Sequence, residues 1–435
     1  MLKRTLGYIW KTENSKISST MPDYEKWSKN QLIEKIRELE LDVETKEGTT
    51  DVLEEPLKKK AKTKSFDFSK HNKRFIALRF AYLGWNYNGL SFQYEPTPLP
   101  TVEDEILRAM EKARLIPKAE PGSCKFSRCG RTDKGVSAMN QVISLEVRSN
   151  LTTSEQNERS NDLKELPYIS VLNSLLPSDI RITGICLRPP EGFDARFSCT
   201  FRHYRYFFKK DNLDIDLMKE ASKKYEGVHD FRNFCKLDGS KQITNYKREV
   251  LASNILPFND EFYMFDLRGT AFLWHQVRCM VAILFMVGQK LEKPLIIDEL
   301  LDPELYPRKP NYDMANDIPL VLYDCKYPPM EWLTIQNDFA QKSKLLTHYS
   351  NFKQLAIDYK LKSNIVGIME DMFIKDVELK LTPGSGAINI GDGKGRNFRK
   401  YVPMAKREMG DSFEEVNARY REKKAKSSKA PNSST

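Results

Sequence analysis

A chain of 435 residues that is 40% hydrophobic is long enough for two or three units with buried cores. It has no run of about eighteen apolar residues, which excludes a membrane-spanning helix, and Met1 to Trp10 has no long apolar centre to serve as a secretion signal. Its seven cysteines, without a Cys-x-x-Cys pair, read neither as a disulfide framework nor as a zinc site and point to a reducing compartment. The net charge of +10 sits in the flanks: residues 58–74 hold eight Lys and Arg against Asp67, and residues 394–429 hold twelve against five acids. Such flanks suit a polyanionic partner, because Lys and Arg displace condensed counterions from a phosphate backbone, although solubility alone would also account for them.

In chain order, residues 1–57 form an N-terminal extension with one amphipathic helix, Lys29 to Asp42, capped by Ser28 and Gln31 and carrying Leu32, Ile33, Ile36 and Leu39 on one face. Residues 58–74 are a basic linker. The run from Glu54 to Lys64 has the composition of a nuclear-import signal, so nucleus, cytoplasm or both are the expected locations. Arg74 to Tyr82 alternates as a strand and ends in the aromatic, glycine-bearing corner Gly84 to Gly89. Thr101 to Ala113 reads as a helix, with Thr101 as cap, acids in its first turn, and Ile106, Leu107 and Met110 turned inward.

Next comes Ser127-Arg128-Cys129-Gly130-Arg131-Thr132-Asp133-Lys134-Gly135-Val136, leading into the strand Gln141 to Val147. Gly130 and Gly135 permit a tight loop that turns Asp133 outward between the cations Arg131 and Lys134. Taken alone, the run also fits an ordinary solvated turn. Cys129 reads either as a small buried residue or as a reactive thiol. A helix at Tyr168 to Leu176, stopped by Pro177, and a strand at Ile180 to Leu187 complete an α+β half that closes at Pro189-Pro190.

The second half opens with Phe193 to Ser198 and the strand Phe201 to Phe208, on which His203, Arg205 and Phe207 share one face and Arg202, Tyr204 and Tyr206 the other. A tyrosine among arginines offers a nucleobase a stacking partner and its phosphates a cation, though aromatic-rich strands are also common in cores. Phe262 to Leu267 alternates as a strand. Trp274 to Val287 reads as a helix whose Val277, Val281 and Leu284 are apolar, so Arg278 is an ion beside a buried stripe: it either pairs with a carboxylate or snorkels to water. Asn316 to Asp324 is the last core strand. Residues 329–393 form a mostly helical extension, and residues 394–435 a basic, partly disordered tail with a short helix from Phe413 to Lys424.

Cys129-Gly130-Arg131-Thr132-Asp133-Lys134-Gly135-Val136 resembles the active-site loop of the TruA family of tRNA pseudouridine synthases, and the likeness runs in order from residue 75 to about 328. The wording of residues 126–148 and 230–239 is most similar to the eukaryotic branch that acts on tRNA positions 38 and 39. The resemblance implies an α+β fold of two catalytic lobes, residues 75–189 and 190–328, with a mixed or antiparallel sheet across both and the site in a cleft between them. It implies Asp133 as the catalytic carboxylate, Tyr204 against the target base, Arg131 in the gap left by a flipped uridine, Arg278 paired with Asp133, and Lys134 and Arg205 among the cations that grip RNA. Cations close to Asp133 predict a lowered pKa. The implied partner is the anticodon arm of tRNA, the implied assembly a homodimer, and no cofactor or metal is called for. The competing expectation is a catalytically silent tRNA-binding protein or chaperone with the same fold.

Overall fold

The computed structural model describes residues 66–334, 336, 342–377, 387–388, 396–397 and 401–429, with Lys35. The remainder of the N-terminal helix predicted at 29–42, and the basic run at 54–64, lie outside the described residues.

The described chain is built on one mixed nine-stranded sheet: β1 (Asn72–Tyr82), β2 (Ser127–Arg128), β3 (Ser137–Ser149), β4 (Ile180–Cys186), β5 (Phe201–Lys209), β6 (Gly227–Asp230), β7 (Lys247–Pro257), β8 (Phe262–Gly269) and β9 (Leu320–Lys326). The order across it is β4-β1-β3-β9-β5-β8-β7-β6, with β2 on β3. All pairings are antiparallel except β3 with β9, where Ser137 faces Val321 and Ala138 faces Leu322. The last strand that this sheet takes from the sequence, β9, therefore lies in its middle. It joins β3, which follows the Asp133 loop, to β5, which carries Tyr204.

The apolar side chains of these elements build two cores. Ile76, Leu78 and Phe80 of β1 pack with Ile106 and Met110 of α1 (Val102–Lys112) and Leu172 of α2 (Tyr168–Leu175). Tyr206 and Phe265 pack with Met218 of α3 (Ile215–Lys223), with α4 (Gln276–Gly288) and with Ile297 of α5 (Ile296–Leu301). β9 serves both, giving Leu322 to the first and Leu320 to the second, and Tyr204 is packed against each. Thr101 caps α1 as its residue type predicts, accepting from the Asp104 amide. Arg74 is buried, but its guanidinium donates to Glu165 at 2.9 Å and to the carbonyls of Leu187 and Gln156, so the ion is fully partnered. Beyond the sheet lie α6 (Lys342–Val377) and α7 (Phe413–Lys429), in regions expected to be helical.

Of the boundaries that differ from expectation, two have clear local reasons. The final strand starts at Leu320 rather than Asn316, because the Asn316 side chain accepts from the Ile318 amide in a turn and Pro319 has no N–H to give a ladder. Helix α4 starts at Gln276 rather than Trp274, because His275 is left-handed at φ 61° and cannot continue a helix.

The corner at Gly84 is where the first core meets the Asp133 loop. Its amide donates to Ser137 Oγ at 3.0 Å, and a Cβ there would lie 2.0 Å from the Val136 carbonyl oxygen. Gly84→Ala is therefore expected to destabilise the fold by about 2–3 kcal/mol, seen as a lowered Tm, since backbone rather than a flexible side chain must yield.

Candidate active site

The loop between β2 and β3 is held at nearly every residue, which leaves Asp133 little freedom. Arg128 donates to buried Glu103 of α1, at 2.8 Å through Nη2, anchoring the start of the loop. Gln141 holds the Gly130 carbonyl at 2.9 Å, the Tyr82 hydroxyl meets Thr132 Oγ1 at 2.6 Å, and the Leu90 amide donates to the Thr132 carbonyl. Gly135, at φ 83°, turns the chain so that the Val136 amide closes back on the Asp133 carbonyl. Val136 enters the second core, while Cys129 and Ala138 enter the first, so the loop is pinned between the two. Cys129 is thus a buried core residue.

Asp133 itself is half-buried. Its Oδ1 accepts from the Trp274 indole N–H at 3.1 Å, and the His275 Nε2 lies 3.4 Å from Oδ2. Trp274 is set by the segment linking β8 to α4, and Lys236 fixes it twice: the Lys236 amide donates to the Trp274 carbonyl at 3.0 Å, and its Nζ sits 4.7 Å from the indole centroid. Burial, with the charges of Arg278, Lys236 and Lys309, depresses His275 to about 4, so it is a neutral neighbour of Asp133. Its Nδ1 is buried without a hydrogen-bond partner among the described residues.

The expected lowering of the Asp133 pKa is corrected by the structure. Burial raises it, and the Arg278 charge, the Trp274 bond and Lys236 offset this only in part, while the carboxylate of Asp317 adds to the rise. The expected ion pair is also rearranged. No pair within 4 Å joins Arg278 to Asp133 among the described residues; Arg278 donates through Nε to the Ala315 carbonyl at 2.7 Å, and its Nη1 lies 4.0 Å from Asp317. Asp317 packs against Gly135, so it takes the position nearest the guanidinium while the field of Arg278 still reaches Asp133.

Tyr204 lies in the middle of β5 with its ring edge-on to Phe272, 5.1 Å between centroids. Burial pushes its hydroxyl well above the usual phenol range; in the sheet Tyr204 faces Leu322 of β9, which faces Ala138 just after the Asp133 loop. Arg131 and Lys134 are exposed on the loop beside Asp133. Arg205 does not join them. Strand alternation sends it to the other face, where it donates to Asp266 at 2.9 Å and lies 3.6 Å over the Tyr323 ring. His203 binds the same Asp266 at 2.7 Å. Sequence reasoning missed Trp274, His275, Lys236 and Asp317. The sequence reading runs a helix over Trp274 and His275, and the one available signal is a pair of rings with N–H groups directly before a largely apolar stretch.

Trp274→Phe keeps the ring and removes the donor to Asp133. Its expected result is an acid limb of the rate profile moved to higher pH, with the rate near pH 8.5 affected least, as read from initial rates across the profile.

A half-buried carboxylate fixed by an indole N–H, with an aromatic ring two strands across the sheet and exposed cations outside, can act on one flipped residue of a polyanionic chain. Residues 221–328 match the family described as tRNA pseudouridine synthase. The chain is 52% identical over 423 residues to the tRNA pseudouridine(38/39) synthase of Saccharomyces cerevisiae, covering 94% of this chain and 95% of that one. It is 43% identical to the mouse enzyme of the same description, covering 69% and 67%, and 41% identical to the human one, covering 77% and 73%. The chain belongs to the TruA family of tRNA pseudouridine synthases.

Proposed function

We propose that this chain isomerises uridine to pseudouridine in the anticodon arm of tRNA, at positions 38 and 39; its yeast, mouse and human relatives are named tRNA pseudouridine(38/39) synthase. The supporting observation within the chain is the Asp133 carboxylate, held by Trp274 on the loop that leads into β3, two strands across the sheet from Tyr204 on β5. The reaction breaks the bond between ribose C1′ and uracil N1, turns the base and rejoins it through C5; the C5 proton is lost and N1 regains one, so mass is unchanged. Ionised Asp133 acts at the ribose, either bonding to C1′ or removing a ribose proton. Tyr204 covers the detached uracil and keeps it over the sugar. Unstacking the target costs a few kcal/mol, and the role assigned to Arg131, which is exposed, is to fill the gap or hold the flipped phosphate. Lys134 adds a cation for the backbone, and a homodimer belongs to the same reading.

The test is nucleotide-resolved mapping of pseudouridine in an unmodified tRNA transcript after incubation with the purified chain. Product at 38 and 39 with no free uracil is expected. Release of uracil would mean hydrolysis, and an unchanged transcript would mean a silent RNA-binding protein.

A further inference from the structure

The segment just before β5 carries an exposed aromatic ring on an unusually well-tied loop. Phe197 is 80% exposed, and the guanidinium of exposed Arg196 lies 5.3 Å from its ring centroid. A single exposed apolar residue is ordinary on a protein surface. What sets this one apart is its support. Asp194 Oδ1 accepts from both the Arg196 and the Phe197 amides, at 2.7 and 3.0 Å, and the Ser198 amide closes on the Asp194 carbonyl. Ala195, between them, is fully buried, with its amide on Ser144 Oγ and its carbonyl accepting from the Tyr327 hydroxyl. Phe193 is buried in the first core. The loop is therefore rigid, and Arg196 and Phe197 are the two residues it turns outward.

Its place relative to the site is fixed by Arg202. One guanidinium nitrogen of Arg202 donates to the carbonyl of Arg196 at 2.9 Å and to that of Cys129, at the root of the Asp133 loop, at 3.0 Å. The other donates at 2.6 Å to the carbonyl of Thr270, in the segment that leads to Trp274 and His275. One side chain thus ties the Phe197 loop to both segments that form the Asp133 pocket. Beside such a pocket a rigid, solvent-facing ring with a cation over it has the makings of a stacking platform: every base has a π-face, and the guanidinium is available to a phosphate or to a second base.

We propose that Arg196 and Phe197 form a nucleobase-stacking platform that receives an unpaired nucleotide of the RNA substrate adjoining the target uridine. This rests on the reading that the substrate is RNA. The platform holds the strand while the uridine enters the pocket, so it contributes to binding and leaves the chemistry to Asp133.

The test compares Phe197→Ala, Phe197→Leu and Phe197→Trp with the wild-type chain in single-turnover pseudouridine formation on a tRNA transcript. Phe197→Ala is expected to raise the enzyme concentration at half-maximal rate by about 10-fold or more, the size of one lost base–aromatic stack, with the maximal rate within about twofold. Phe197→Trp should restore tight binding and Phe197→Leu should not. A 2-aminopurine placed next to the target should be quenched by the wild-type chain and by Phe197→Trp, but much less by Phe197→Ala. Equal half-saturation for Phe197→Ala and wild type, or equal performance of Leu and Phe, would overturn the platform while leaving the catalytic reading intact. A wild-type chain that makes no pseudouridine would instead overturn the catalytic reading, and the fluorescence arm would still show whether a base stacks on Phe197.

Discussion

Asp133→Asn is expected to reduce pseudouridine formation by more than about 10³-fold, the scale of losing an essential acid, base or nucleophile, with little loss of fold or of tRNA binding. The three readouts separate for physical reasons. The Asn side-chain oxygen can still accept from Trp274, so the contact that fixes the residue survives. Burial works against the Asp133 charge, so removing that charge relieves a desolvation cost and does not leave a partner stranded. An anion taken away from a loop that also displays Arg131 and Lys134 should leave attraction to phosphates unchanged or slightly stronger. Single-turnover rates, thermal unfolding and a filter-binding isotherm on the same preparation check all three. Full activity in the variant would move the chemistry to another residue.

Arg278→Gln is expected to lower the rate by about 10²-fold near neutral pH, comparable to removing one preorganised electrostatic partner. Its pH dependence carries more information than its size. Gln keeps a donor within reach of the Ala315 carbonyl but has no charge. The Arg278 charge is the largest influence holding the Asp133 pKa down against burial, so without it that pKa rises further. The working form is the carboxylate, and activity falls as pH drops through its pKa. A higher pKa therefore moves the acid limb upward, and the defect should be greater at pH 6 than at pH 8.5. A loss of the same size at every pH would show that Arg278 acts only by holding the Ala315 segment.

Most of the frame was legible because it depends on short-range chemistry. Thr101 has the oxygen a helix start needs, β1 alternates, and the alternation of β5 correctly placed Tyr204 and Arg205 on opposite faces. The glycines marked a tight charged loop, and only its resemblance to the TruA active-site loop marked it as a site rather than a solvated turn. Three things were not legible, each because it arises from distance in sequence. Trp274 reaches Asp133 across 141 residues, and no periodicity marks it; periodicity instead extended α4 over it, since the left-handed turn at His275 has no glycine to announce it. Asp317 stands between Gly135 and Arg278 only after β9 is inserted between β3 and β5. The pKa direction failed for a related reason: charges can be counted along a chain, but the burial that outweighs them appears only when both cores close around the loop. Arg205 shows the converse, a cation of the right type near the right residue in sequence whose strand turns it toward Asp266.

The most direct measurement is an experimental structure of the Asp133→Asn chain bound to an anticodon-arm RNA that carries uridine at the target position. The expected result is a uridine turned out of its stack, with its C1′ within about 3.5 Å of the residue 133 side chain and its base lying on Tyr204. A target uridine still stacked in the RNA, or flipped with its ribose far from residue 133, would contradict it.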